Sequence, residues 1–201
     1  MKNYNIYFIY ITLFLIISSL ITQNIDNTYN KILVFWMIFG VLIAIFEIVL
    51  FTKHKYICDD SKIKKENEYW TSNTPLKNTM DYKFWGDAWK EYSVHCDPQY
   101  GQRRNIVHWV ELIHSLTAFL YIPIIYHFIT NTTTNITAVL MIIITTSHIT
   151  GTILYLVNLY YYLKNKNIEK TYKFWIYLSL NFFWIFMPLL ILIKGIDMAI
   201  C

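Results

Sequence analysis

Two glutamic acids, Glu47 and Glu111, are the only acidic side chains inside the long apolar stretches of the chain. Burying a carboxylate in hydrocarbon is costly, so an intramembrane glutamate is a functional-site candidate by default. Two such acids in one cavity could move protons, one acting as donor and the other as acceptor. His108 and His114 flank Glu111 by one helical turn on either side, and a polar stripe of Thr145, His148, Thr152 and Tyr155 interrupts another apolar stretch beside Gly151. A lone His or Asn in a membrane helix more often makes an interhelical hydrogen bond than performs catalysis.

The elements that must position these residues follow from hydropathy. Of 201 residues, 56% are hydrophobic and 15% charged, and apolar runs cover residues 6–22, 32–51, 105–129, 136–163 and 172–194. At about 1.5 Å per residue most of them can cross a hydrocarbon core of about 30 Å. The pattern predicts an all-α membrane protein, a five-helix transmembrane bundle with a short interfacial helix in its long loop. The first run is short enough to compare with a secretory signal, but no small-x-small cleavage site follows and the run exceeds a typical signal core, so it is read as an uncleaved span. Internal repeats and Gly/Pro-broken spans, the marks of many transporters, are absent from the pattern; Pro123 and Pro188 are the only mid-helix breaks.

The net charge of +4 does not imply a nucleic-acid partner. Ten of the seventeen Lys and Arg residues lie between Lys53 and Arg104 and four between Lys164 and Lys173, with Lys2 on the same side if all five helices span. Only Lys31 and Lys194 fall opposite, an asymmetry that places the basic side in the cytosol. Sequons at Asn131 and Asn135 agree with that orientation, although both sit close to apolar runs and Asn/Thr-rich loops produce such triplets by chance. Three cysteines are too few for a disulfide framework; Cys58 and Cys96 share one loop and could pair only in an oxidising compartment. No Cys/His metal spacing occurs, and neither a metal nor a cofactor is expected.

The long loop divides in two. Cys58 to Asn78 is polar with no periodic apolar face and is expected to be a solvated or poorly ordered insert. Between Asp81 and Tyr100, Trp85, Ala88, Trp89 and Tyr92 recur at helical spacing while Lys83, Asp87, Lys90 and Glu91 take the other faces, which predicts a helix lying in the headgroup layer.

Depth is better fixed than packing. Glu47 lies four residues before the basic-side end of the second run and Glu111 about six residues past the start of the third, so both carboxyl groups sit roughly 6 to 9 Å below the same surface. Gly40 and Ala44 lie near the face of Glu47, and Ser115 and Ala118 near that of Glu111. Small side chains there leave room beside each acid, or equally allow close helix packing. The fifth run presents Tyr177, Asn181, Trp184 and Pro188 on one face. Polar stripes on four helices predict a shared pocket.

These residues carry a family resemblance. Trp89-Lys90-Glu91-Tyr92, then Cys96-Asp97-Pro98-Gln99-Tyr100, with Glu111 fourteen positions after Asp97, resemble the EXPERA family, which includes the emopamil-binding sterol isomerases and the sigma-2 receptor. His148-Ile149-Thr150-Gly151 with Leu154-Tyr155, Phe174 to Tyr177, and Asn181-x-x-Trp184-x-x-x-Pro188 follow in the family's order, the last spacing being the most specific. The resemblance covers about residues 35 to 197 and divides the chain into an N-terminal helix and short loop (1–31), an EXPERA-like four-helix domain (32–197, with the long loop at 53–104) and a short tail (198–201). It implies a multi-pass protein of the endoplasmic reticulum membrane that meets membrane lipids and takes a sterol or another hydrophobic small molecule, including cationic amphiphilic amines; a homodimer is one state open to such a bundle. It also implies a lumenal basic side, against the Lys/Arg count, and the C-terminal residues 196–201 lack the Lys-rich retrieval tail of some relatives.

In function, the resemblance implies a Δ8–Δ7 sterol isomerase: a proton added at carbon 9 makes a carbocation at carbon 8, and loss of a proton from carbon 7 completes the shift. Glu47 and Glu111 would be the proton-handling pair, Asn181 would orient one of them, and Trp184 would offer its ring face to the cation. Asp97, Tyr100, His108, His114, His148, Tyr155 and Tyr177 would bind the ligand. Two departures stand against turnover: Ile43 occupies the position where the isomerases carry a His, and Gln99 replaces an Arg. His108, His114 or His148 could supply the missing imidazole, although the isomerases usually have Gln at the last position. The alternative is a non-catalytic sterol- or amine-binding protein of the emopamil-binding-like or sigma-2 kind.

Overall fold

The fold was obtained as a computed structural model, which describes residues 1–58, 68–102, 105–166 and 172–200, without the side chains of 68, 172, 173, 176 and 177. Among the described residues, five stretches are long and apolar enough to cross a membrane. The first two spans are α1 (Asn3–Thr22) and α2 (Thr28–Thr52); the Asn27 side chain caps α2 by accepting from the Asn30 N–H at 3.1 Å. The third span is broken into α6 (Ile106–Ala118) and α7 (Tyr121–Ile129). Pro123 has no N–H to offer the Phe119 carbonyl, which accepts instead from Ile122 at 3.1 Å. The fourth span is the unbroken α8 (Asn135–Lys166), and the fifth, Leu178–Ile200, takes in the end of α9 (Tyr172–Asn181) and all of α10 (Phe183–Ile200), which meet at Phe182 and are not broken at Pro188.

Side chains that point out of the bundle, among them Phe8, Ile17, Ile113, Ile143 and Ile193, are apolar and exposed, as hydrocarbon contact requires. The inner faces close around Leu33, Met37, Ala44, Tyr121, Ile124, Met141 and Ile191. There α8 and α10 approach so closely that a Cβ on Gly195 would lie 3.0 Å from the Met141 Cβ and 3.2 Å from the Ala138 carbonyl. A second cluster, at the basic end, joins Leu50, Val107, Tyr155, Leu159 and Phe174 to Ile57 and Tyr100 of the long loop.

That loop folds over the basic end as a cap. It contains α3 (His54–Ile57), α4 (Glu68–Thr71), a 3₁₀ turn at Leu76–Met80, α5 (Tyr82–His95) and a second 3₁₀ turn at Pro98–Gly101. The N-terminus is tied into it: Asn3 N–H donates to the Ser72 carbonyl at 3.0 Å and Thr74 N–H to the Met1 carbonyl at 2.9 Å. The chain start and the long loop therefore share one side, as five crossings demand.

The cap corrects two expectations. Residues 59–67 of the expected solvated insert lie outside the described residues, but Tyr69 and Thr79 are buried, Tyr69 packing with Ile6, Tyr7 and Phe84 beneath α1. The apolar signal was two adjacent aromatics, Tyr69 and Trp70, too few to register as a periodic face. On α5 the aromatic residues do face the bundle, Trp85 lying 4.2 Å from Phe46, but Lys90 and Glu91 are buried rather than solvated. Lys90 sits 3.7 Å over the Tyr56 ring and 3.5 Å from Asp87, and Glu91 pairs with His95 at 3.2 Å. For Lys90 the reason is that α3 packs on α5: Tyr56 donates to Asp87 at 2.9 Å and a Cβ on Gly86 would lie 2.9 Å from the Tyr56 ring.

Candidate functional site

Beneath this cap the two acids meet. Glu47 on α2 and Glu111 on α6 bring their carboxyl groups within hydrogen-bonding reach of each other. Ser115, one turn after Glu111, lies between the helices: its hydroxyl is 2.9 Å from Glu47 Oε2 and 2.7 Å from the Glu111 carbonyl, and can donate to either.

Tyr100 reaches the pair from the loop, its hydroxyl donating to Glu111 Oε1. Local chemistry explains how. Asp97 caps the 3₁₀ turn by accepting from the Gln99 N–H at 2.9 Å, and Pro98 fixes the first step of the turn that swings Tyr100 inward. The Tyr100 ring stacks on Trp89 at 5.1 Å and meets Tyr92 edge-on at 5.1 Å, while Trp89 Nε1 donates to the Phe46 carbonyl at 3.0 Å. The cap is thus fastened to the residue next to Glu47. Burial, reinforced by Glu111 alongside, holds the Tyr100 hydroxyl well above the usual phenol range, so it remains a donor. Burial likewise pushes the Asp97 carboxyl up to about 6, against the pull of the Gln99 N–H, and the Cys96 thiol up to about 12. Neither Cys58 nor Cys96 takes part in a disulfide among the described residues; the Cys58 Sγ lies 3.1 Å from His54 Nε2.

Gln99 ties the turn to two helices: its side-chain oxygen accepts from Asn158 of α8 at 2.8 Å and its carbonyl from the Asn105 side chain, at the start of α6, at 3.0 Å. Tyr155 borders the same cluster, its ring 6.1 Å from Tyr100 and its hydroxyl 3.4 Å from that of Tyr92.

The three histidines fall in two places. His108 completes the capping box of α6, its Nδ1 facing the Asn105 N–H at 3.4 Å, and its ring lies 6.1 Å from Tyr100 and 4.4 Å from His54. His114 and His148 form a pair deeper in the bundle, rings 5.0 Å apart, with His148 bonded to Thr117 at 3.0 Å and in reach of Tyr121 at 3.4 Å. His114 lies flat against α8 at Gly151, where an added Cβ would come within 2.1 Å of Nε2.

Asn181 ends α9, half-buried. Trp184 is not beside the acids: its ring packs 5.2 Å from Trp36 and 6.0 Å from Phe39. Phe39 precedes Glu47 by two helical turns, so the indole sits about 12 Å along α2 from the carboxyl pair. The side chain of Tyr177 lies outside the described residues. Among the described residues no three His, Cys, Asp or Glu side chains converge on a metal-sized site.

In the sequence, Ser115 stands out only as a small neighbour of Glu111, and Tyr100 only as a ligand-binding residue implied by the resemblance. The spacing of Ser115 four residues after Glu111 was the available signal; the Tyr100 contact depends on the loop and had none.

Comparison with curated proteins and with solved structures gave no significant match. The family model of EXPERA, the expanded EBP superfamily, matches residues 84–195, from α5 through all but the last turn of α10. More than half of the chain falls within that match, including Tyr100, Glu111, Asn181 and Trp184, and the chain therefore belongs to the EXPERA family.

Proposed function

We propose that the protein is a Δ8–Δ7 sterol isomerase of the endoplasmic reticulum membrane. Its family includes sterol isomerases and binding proteins. The observation that carries the reading is the contact between Glu47 and Glu111 under the Tyr100 hydroxyl. Two carboxyl groups in contact avoid repulsion by sharing a proton, which yields one acid and one base in a single site. The acid would deliver its proton to carbon 9 of the sterol, and the neighbouring carboxylate would remove one from carbon 7 of the resulting cation. The proton count is unchanged at the end and no cofactor takes part. Ser115 and Tyr100 orient the two groups, and the aromatic rings of Tyr100 and Tyr155 border the cation.

A second reading, a non-catalytic sterol or cationic-amine binder, is favoured by Ile43 in the family's His position and by the distance of Trp184 from the acids. Expression in cells lacking sterol isomerase, combined with binding of labelled Δ8 sterol to purified protein, separates the two. The isomerase reading expects conversion by the native chain, a loss of at least about 10²-fold in Glu47→Gln and Glu111→Gln, and a smaller loss in Tyr100→Phe. Binding without conversion by the native chain would establish the binder instead.

A further inference from the structure

Outside the carboxyl site, α8 and α9 diverge to leave an apolar cavity of about 380 Å³ on the flank of the bundle. Its walls include Leu156 and Leu163 of α8, Phe174 and Trp175 of α9, Phe182 at the joint and Ile185 of α10. The volume falls in the range of about 300–1,000 Å³ typical of small-molecule sites. Trp175 and Phe182, 54% and 62% exposed, rim the cavity, which therefore opens to the bilayer rather than to the core. From Leu156 to Leu163 it extends about 10 Å along α8, the reach of the upper part of an acyl chain.

The charge at its mouth selects the occupant. Leu159, Leu163 and Lys166 follow one another at i, i+4 and i+7, so the apolar stripe of α8 ends in a cation one turn beyond the cavity, and Lys164 lies beside it. Both lysines are exposed, and neither joins an ion pair among the described residues. In sequence, residues 164–173 carry four Lys and one Glu, a net charge of +3. Basic side chains at the end of an interhelical groove bind anionic headgroups.

We propose that this groove is a binding site for an anionic phospholipid of the basic-side leaflet, with one acyl chain between α8 and α9 and the phosphate at Lys164 and Lys166. The site also touches the carboxyl pair indirectly. Leu159, Leu163 and Phe174 form its inner wall and pack in the same cluster as Tyr155 and Tyr100. A chain in the groove would brace the wall against which the Glu111 donor rests.

The test uses the full chain in nanodiscs of phosphatidylcholine with or without phosphatidylglycerol, followed by native mass spectrometry after gentle lipid removal. One phosphatidylglycerol is expected to be retained in preference to phosphatidylcholine. Neutralising either lysine, Lys164→Gln or Lys166→Gln, should weaken retention about fivefold. Leu163→Trp, which fills the groove, should displace the lipid, and Leu156→Phe provides the same test if that variant fails to fold. Equal retention of both lipids, or unchanged retention in the lysine variants, would overturn the proposal. So would displacement of the phospholipid by a neutral sterol, which would identify the groove as a sterol site.

Discussion

At the scale of single residues, the site is held by side chains whose hydrogen bonds have no substitute in hydrocarbon. Ser115 and Tyr100 each serve a carboxyl oxygen that lipid could not solvate. Asp97 illustrates the cost of such an arrangement. It caps the turn that delivers Tyr100, yet its burial raises its carboxyl from 3.8 to about 6. The raised value means that the folded state holds the Asp97 proton more tightly than the unfolded chain does. The penalty is therefore absent below pH 4, builds as pH rises from about 4 to 6, and stays constant above. Asn at position 97 keeps the capping oxygen without the charge. Asp97→Asn is accordingly expected to be more stable than the native protein at pH 7, on the order of 2 kcal/mol, with the difference vanishing near pH 4. Thermal unfolding in detergent across that pH range measures it; a difference independent of pH would show that the carboxyl is not desolvated as described.

At the scale of elements, close approach decides which side chains can meet. The His114–His148 pair exists because α6 and α8 touch at Gly151, where the imidazole occupies the space of a side chain. Gly151→Ala is expected to displace His114 and destabilise the bundle by about 1–3 kcal/mol, read as a lower unfolding temperature. His114→Ala in the same chain should recover most of that loss, because it vacates the space the methyl needs; failure to recover would place the strain elsewhere. The five spans were legible in hydropathy and the break before Pro123 in the proline itself, but Pro188, expected to break the fifth span, lies inside the continuous α10, and the break falls at Phe182 instead. The burial of α5 was not, because Lys90 and Glu91 are polar by type and become core residues only through Tyr56, Asp87 and His95.

At the scale of the whole molecule, the five spans put the N-terminus, the cap and the C-terminal end of α8 on one face and the loop at Thr132 on the other. Single cysteines at Asn165 and Thr132, in a chain with Cys58, Cys96 and Cys201 changed to Ser, should therefore label with an impermeant maleimide from opposite sides of sealed vesicles. Labelling from the same side would remove one crossing. The experiment also decides which compartment the basic face occupies, where the Lys/Arg count and the family resemblance disagree.

What the sequence determined by itself is the class of the molecule and the depth of its acids. Hydropathy needs only local composition, and a fixed rise per residue converts position in a helix into distance from the surface. Thus Glu47 and Glu111 could be set at one level before any fold was known. Only the tertiary structure decided which groups surround them. Rotation of one helix about its axis moves a side chain across the bundle without changing its depth, and that rotation is set by packing between distant segments. This is why Tyr100, 53 residues beyond Glu47 in the chain, arrives at the carboxyl pair, while Trp184 settles against Trp36 and Phe39.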